Sequence, residues 1–590
     1  MARFGGSRVA AAAVGASMLV TLAACTTPDP VVTGERPNSP TATSTPSRSA
    51  ETDPAKLALD LSKLPGWTAP TAQGDGTFSR PILDTSGKVT WKVLDGANQV
   101  IKNYDPSQPV AFGDSSTYTK IPGVLTFRGN NYRDAPVYGT TDVSQKKLQV
   151  VWTQDTGDVY AEKSHWAGAG WTGQPLLVNW PTATKEAMGL SQAQIDDPNF
   201  VEVVYPVVDG NVYRLDLATG RQTKPPIQVG WAFKGTGSID PRGYPLLYSG
   251  MGLNQNGDKT GTWRYRIFDL IQNKEVSGWD GSDPVAPRRG CSPVPACSPD
   301  WGAFDSSSLV NAATDTLIEP AENGLVYKVK LNAQFDPAAK TVSVSPEFTK
   351  LNYTTPESSR HGIESSAAAY RNLMYAGDND GNIICWDATT LQVVWVHPSG
   401  DDTDATIVLE DDNGTPFLYT GNEMDKRGEG ANGASHGPIT IQKINGFTGK
   451  TVWQYQIDAV YNEAVNGGLM ATPVLGTGEV SDLVFFNIAK TGSQKTGTLL
   501  ALDRKTGTVV WKRALAHFGW SSPLILTGTD GHAYGIVGDS SGLLHLFNPN
   551  TGEDYSTLQL SQNIEASPAV YGNMLVVGTY AKKLYGIRIS

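Results

Sequence analysis

A short run of small residues closed by proline recurs along the chain. It reads Ser521-Ser522-Pro523, Ala566-Ser567-Pro568 and Ala471-Thr472-Pro473, and without the proline Ser365-Ser366-Ala367. Three positions before the proline, or before the residue in its place, stand Thr172, Arg242, Asp305, Glu364, Asp404, Met470, Trp520 and Glu565. Four carboxylates, an arginine and a tryptophan at one register position are more polar than core filling requires. If the fold brings them together, the carboxylates repel one another. Water, a cation or a hydrogen-bonding ligand would relieve them. Arg360, His361 and Asn563 lie close enough in sequence to join the set.

Binding is the chemistry these residues support first. The chain carries no P-loop, no H-E-x-x-H and no G-x-S-x-G elbow. "ESSRHGIESS" gathers serine, histidine and glutamate locally, but catalytic triads assemble from distant segments. "DNDGN" at Asp378 lacks the later glutamate of a calcium loop and reads as a hairpin turn. The acidic run from Asp401 reads as a solvated loop. Of four cysteines, Cys291 and Cys297 flank a proline-rich loop and read as a short disulfide staple, while Cys385 in "GNIICWD" reads as a small buried hydrophobe. With no C-x-x-C pair and no histidine cluster, zinc is not expected.

The elements that must position these residues are written in a longer repeat. "TGTLLALDRKTGTVVWKRALAH", Thr496 to His517, reads as strand, tight turn and strand. "VVDGNVYRLDLATGRQT" at Val207, "AGDNDGNIICWDATTLQVVW" at Ala376, "ITIQKINGFTGKTVW" at Ile439 and "VGDSSGLLHLFNPNTGEDY" at Val537 fall into the same frame. With the small-residue run upstream, each unit holds four short strands in roughly 40 to 50 residues, the period of a β-propeller. Asp503 and Thr506 can bond the turn backbone, Gly507 supplies positive φ, and Trp511 can fill the gap between blades. Trp152, Trp395 and Trp453 take the same place in their units.

These units resemble the quinoprotein-type (PQQ-like) propeller repeat, matching its Ala-x-Asp-x-x-x-Gly-x-x-x-Trp signature at Ala501, Asp503, Gly507 and Trp511. Thr506 also matches. The resemblance implies an all-β fold and extends over residues 146–590. Counting frames gives eight blades, or seven if the weak second frame is an insertion. The last frame stops after three strands, and the strand around Trp152 is expected to supply the fourth and close the ring. "GVLTFRGNNYRDAP" resembles the lead-in of such propellers, so residues 55–145 are expected to form an extension packed on the rim. The family's dehydrogenases hold pyrroloquinoline quinone between a vicinal disulfide and a tryptophan, with calcium on Glu, Asn and Asp. This chain has no adjacent cysteines and no C-x-x-C-H haem site. Neither quinone nor calcium is therefore expected as a cofactor, and the protein is read as no enzyme.

The N-terminus reads as an address. Arg3 and Arg8 precede an apolar run ending Leu22-Ala23-Ala24-Cys25. This resembles the lipobox of bacterial lipoproteins, which implies a signal peptide over residues 1–24 and lipidation of Cys25. Residues 25–54, rich in Thr, Pro and Ser, read as a disordered tether. Loss of Arg3 and Arg8 with the leader leaves 45 basic against 58 acidic residues. That balance argues against nucleic acid as a partner. The expected setting is extracytoplasmic, on the bacterial membrane through the lipid. Three functions compete: a non-enzymatic scaffold binding an envelope protein or ligand, as in the architecturally similar lipoproteins of outer-membrane barrel assembly; a quinone-dependent oxidoreductase; and a sensor for a small cationic or polyhydroxyl ligand in the acidic channel.

Overall fold

The computed structural model describes residues 31–33, 51–79, 89–169, 173–286, 301–355, 362–425, 436–461 and 466–590. Cys25, Cys291 and Cys297 lie outside them. Sheets of four or more strands, antiparallel except where Val137–Tyr138 runs parallel to Ala569–Tyr571, follow one another along the chain as a β-propeller. Helix among the described residues is confined to short pieces such as Thr182–Ala187 and Gln192–Asp196, and none is long and apolar enough to cross a membrane.

The sheet of the repeat at Ala376 is representative. Its strands Ala368–Tyr370, Leu373–Gly377, Asn382–Asp387 and Val393–Pro398 pair in order. The middle two are buried on both faces, because each sheet has a neighbour on either side and neither face meets water. Cys385 is one of these buried residues. The "DNDGN" stretch is the hairpin between them. Asp378 Oδ1 accepts the N–H groups of Asp380 and Asn382 at 3.1 and 2.8 Å.

Neighbouring sheets are fastened by tryptophan. The Trp511 side chain is fully buried, and its Nε1 donates to Pro549 O, on the next sheet's turn, at 2.9 Å. A Cβ added to Gly552 of that turn would lie 2.7 Å from the Trp511 ring. Trp453 donates to Arg504 O at 3.0 Å, and Trp152 to Leu217 O at 2.8 Å. Their rings lie 2.6 Å from the Cβ positions of Gly507 and Gly220. Trp395 donates to Gly446 O at 2.9 Å. The turn glycine thus has two duties. It takes positive φ, 73° at Gly507, and it leaves bare the surface on which the preceding sheet's indole lies. Asp503 sets the turn, with Oδ1 accepting Thr506 N and Thr506 Oγ1, each at 2.7 Å.

The strand Leu148–Asp155 pairs antiparallel with Lys583–Ile589, so both ends of the repeat region share one sheet. The extension is not confined to the rim. Thr90–Asp95 does add to the outer edge of a sheet, beside Glu347–Thr354. Residues 125–133, however, run under the centre of the ring. Ile239 N donates to Leu125 O at 2.7 Å, Ala369 N to Asn131 O at 2.7 Å and Leu409 N to Tyr132 O at 2.9 Å. Arg133 donates to Ala367 O and Ser307 O. These contacts reach the innermost strands of several sheets, where unpaired backbone groups converge and need partners. Inside the stretch expected to be a tether, the Val31–Thr33 backbone pairs with the outer strand Val509–Leu515.

Removing the indole at one joint tests the fastening. Trp511→Ala should cost about 3–5 kcal/mol in urea unfolding, whereas Gln559→Ala on an outer strand should cost under about 0.5 kcal/mol. Equal midpoints for both variants would refute the role given to Trp511.

Candidate functional site

At the hub, the small-residue run brackets one sheet to the next. Gln174 N donates to Thr236 Oγ1 at 2.7 Å, Ser307 N to Ser366 Oγ at 2.9 Å and Ser366 N to Thr406 Oγ1 at 2.9 Å. On the far side, Thr472 N donates to Ser522 Oγ at 3.0 Å and Ser522 N to Ser567 Oγ at 3.3 Å. Hydroxyls are needed because the inner strands converge too closely to pair by backbone alone, and each hydroxyl can accept while still donating elsewhere.

The residue two places before each bracket faces the channel. By that frame the second sheet contributes Lys234, not Arg242. The proline-based frame failed because Pro245 follows the short inner strand Ser238–Ile239 instead of opening it. Arg242 lies elsewhere, bonded to Asp240 at 2.6 Å and Asp315 at 2.7 Å. Thr236, a hydroxyl among glycines, was the sequence signal for the correct frame. Thr172, Arg360 and His361 lie outside the described residues.

Asp305, Glu364, Asp404 and Met470 do line one cavity, of about 20 Å³, room for roughly one water. Phe127 of the central segment also lines it. Met470 and Trp520, each 5% exposed, pack with Ala489 and Phe518 as an apolar arc. Glu565 accepts from Asn563 Nδ2 at 2.6 Å. Beneath the ring Arg128 is fully buried, donating to Pro473 O at 3.3 Å. Burial pulls its guanidinium down to about 9.

Charge is concentrated on one side of the mouth. Lys234 Nζ lies 2.6 Å from Asp305 Oδ2, both side chains being buried. Burial works against the ammonium, but Asp305, Glu322 and Glu364 more than offset it and hold Lys234 above the ordinary lysine range. Carboxylate oxygens of Asp305, Glu322 and Glu364 come within 4.8 Å of one another, as do those of Asp402, Asp404 and Glu423. Glu322 and Glu423 were missed in sequence because they sit outside the repeated run, on a turn and on the short strand Glu423–Met424. Asp402 was missed because the acidic run from Asp401, expected to be a solvated loop, starts with two buried carboxylates at the hub. In the second group burial, with repulsion from Glu364, raises Asp404 well above the usual carboxylate range. Burial with repulsion from Asp404 and Asp402 does the same for Glu423. A proton, a cation or a hydrogen-bond donor can satisfy such a group.

Residues 495–590 match the family model for outer membrane protein assembly factor BamB. Solved structures with a similar fold include BamB from Moraxella catarrhalis, 15% identical over 66% of this chain and 93% of that one, with a TM-score of 0.42. The quinohemoprotein alcohol dehydrogenase ADHIIG from Pseudomonas putida HK5 is 11% identical over 79% of this chain and 80% of that one, at a TM-score of 0.49. A europium-containing methanol dehydrogenase is 11% identical over 79% and 98%, at 0.38. No protein of curated function matches the chain.

Pyrroloquinoline quinone does not fit the site that the described residues form. The chain has no adjacent cysteines to close over it, and the hub cavity is far smaller than a fused tricyclic quinone. Asp402, Asp404 and Glu423 are an oxygen donor set suited to a divalent cation such as calcium.

The raised carboxylates make stability depend on pH. Between the ordinary value near 3.8 and the raised folded value, the folded protein keeps a proton on Asp404 that the unfolded chain has lost. Stability therefore falls as pH rises through that window. Asp404→Asn should melt higher than the wild type at pH 8, with the gap closing towards pH 4. An equal or lower melting temperature at pH 8 would contradict this electrostatic account.

Proposed function

We propose that this protein is an extracytoplasmic, lipid-anchored propeller that binds an envelope protein through its channel face and rim loops, without chemistry. The observation that carries the reading is the hub itself. The 125–133 segment fills one side and leaves a cavity of about 20 Å³, so a large partner is met by loops and not by a pore. The lipobox ending at Cys25 supports the anchor, and the match of residues 495–590 to an outer membrane assembly factor supports the envelope setting.

We read the ring as eight-bladed and shut by the strand Leu148–Asp155. Eight sheets with four or more strands among the described residues support the count, and the register of that strand with Lys583–Ile589 supports the closure. Deleting residues 146–155 would bare the edge of Lys583–Ile589 and its apolar face. Aggregation or loss of a single cooperative transition is expected. A soluble deletion with an unchanged melting curve would refute closure by this strand.

Crosslinking in intact cells, followed by capture of this chain, tests the scaffold reading. One envelope protein should be recovered in stable proportion, and Cys25→Ser should lose both diacylglyceryl incorporation and that partner. Capture without any reproducible partner would overturn the scaffold role. Normal lipid incorporation in Cys25→Ser would overturn the anchor.

A further inference from the structure

Beside the acidic mouth, two hairpins that belong to no blade stand over the ring. Asp158–Ala161 pairs with Ser164–Ala167, and Gln255–Asn256 with Lys259–Thr260. They lean on each other, with Gly257 N donating to Tyr160 O at 2.7 Å and Glu162 N to Gln255 Oε1 at 3.1 Å. Between them lies a cleft of about 310 Å³ walled by Leu253, Glu162, Trp263 and Trp301, within the size range of small-molecule sites. The two indoles meet at 4.8 Å between centroids.

The Trp301 wall of the cleft backs onto the carboxylates. Trp301 Nε1 donates to Glu322 Oε2, and Glu322 belongs to the group with Asp305 and Glu364. Glu162 on the cleft wall is in electrostatic range of Lys234, Asp305 and Glu364. Next to the wall residue Leu253 stands Gly252, where a Cβ would come 2.4 Å from Asp305 Oδ1. That oxygen, on a side chain only 2% exposed, has no hydrogen-bond partner among the described residues. The Lys234 stem lies as close to that position, its Cδ 2.4 Å away, so glycine here makes room for the buried Lys234–Asp305 pair behind the cleft wall.

We propose that this cleft binds a primary-amine cation on an aliphatic carbon chain, of the diamine and polyamine class. The protein already shows how the site treats an ammonium. Lys234 Nζ rests 2.6 Å from Asp305 and 5.9 Å over the Trp301 ring, the geometry of a cation on an aromatic face. A second ammonium would lie in the cleft against Glu162, on the side of the half-buried Glu364, with its methylenes along Trp263, Trp301 and Leu253. Glu162 on the wall and the carboxylates behind it favour a charged group over a neutral polyol, and the apolar walls favour a carbon chain over a bare metal ion. The proposal goes beyond the scaffold reading and stands or falls without it.

Calorimetric titration of the purified full chain with putrescine and spermidine, at fixed ionic strength, tests it. Saturable binding is expected, quenching tryptophan fluorescence and raising the melting temperature, with butane-1,4-diol giving no heat. Glu364→Gln should weaken putrescine binding about tenfold, and Trp301→Leu at least as much. Because Trp301→Leu could disturb the mouth, Thr260→Lys is the second probe. It puts a competing ammonium on the cleft wall at an exposed strand position and should abolish binding while the protein melts normally. Equal binding of the diol, or no saturable heat from putrescine, would overturn the amine assignment, as would calcium displacing putrescine at lower concentration. Wild-type binding in both Glu364→Gln and Thr260→Lys would remove the site from this cleft. None of these outcomes touches the capture experiment for a protein partner.

Discussion

An indole lying on the next sheet's turn glycine is the contact on which the ring depends. A four-stranded sheet has two apolar faces, and in a radial array each must be matched to a different neighbour. Interdigitated aliphatic side chains bury area but do not define how far one sheet rotates against the next. The tryptophan does both. Trp511 fills the wedge while its N–H is tied to a single carbonyl, that of Pro549. The same tie recurs from Trp453 to Arg504 and from Trp152 to Leu217. Position and angle are thereby set together at several joints.

Fixing the angle brings the inner strands to a common axis, and the hub inherits the consequences. Backbone groups converge there, and a ring of serine and threonine hydroxyls with the 125–133 segment takes them up. Side chains two residues earlier are forced into one small space whatever their charge. The apolar arc of Met470 and Trp520 packs. The acidic arc cannot, so one lysine and retained protons hold it. The mouth is therefore under electrostatic strain by construction, and ligands that supply positive charge are the natural response.

The repeat was legible because its turn chemistry is local. Asp503, Thr506 and Gly507 make one turn among themselves, and the spacing to Trp511 follows from strand geometry. Most of the mouth was legible for the same reason: Asp305, Glu364 and Asp404 sit at a constant offset from the bracket and share one cavity. Lys234 was not, because the second sheet carries the bracket as Thr236 without proline, and proline marked a later position. Glu322 and Glu423 come from a turn and a two-residue strand that no periodicity describes. The path of residues 125–133 under the hub was illegible too. A segment that pairs with many inner strands has no pattern of its own to show.

The pairing of Leu148–Asp155 with Lys583–Ile589 also sets an order of events. The chain is synthesised from its N-terminus, so the strand around Trp152 is made more than 400 residues before the strand it pairs with. Every sheet between can collapse onto its predecessor as it emerges. The sheet of Trp152 waits longest, with an unsatisfied edge, until the seven residues Lys583–Ile589 exist. A truncated product thus lacks more than its missing blade: it cannot finish its beginning. Loss of Lys583–Ile589 is in this way felt far upstream, as an early strand left exposed for quality control to read.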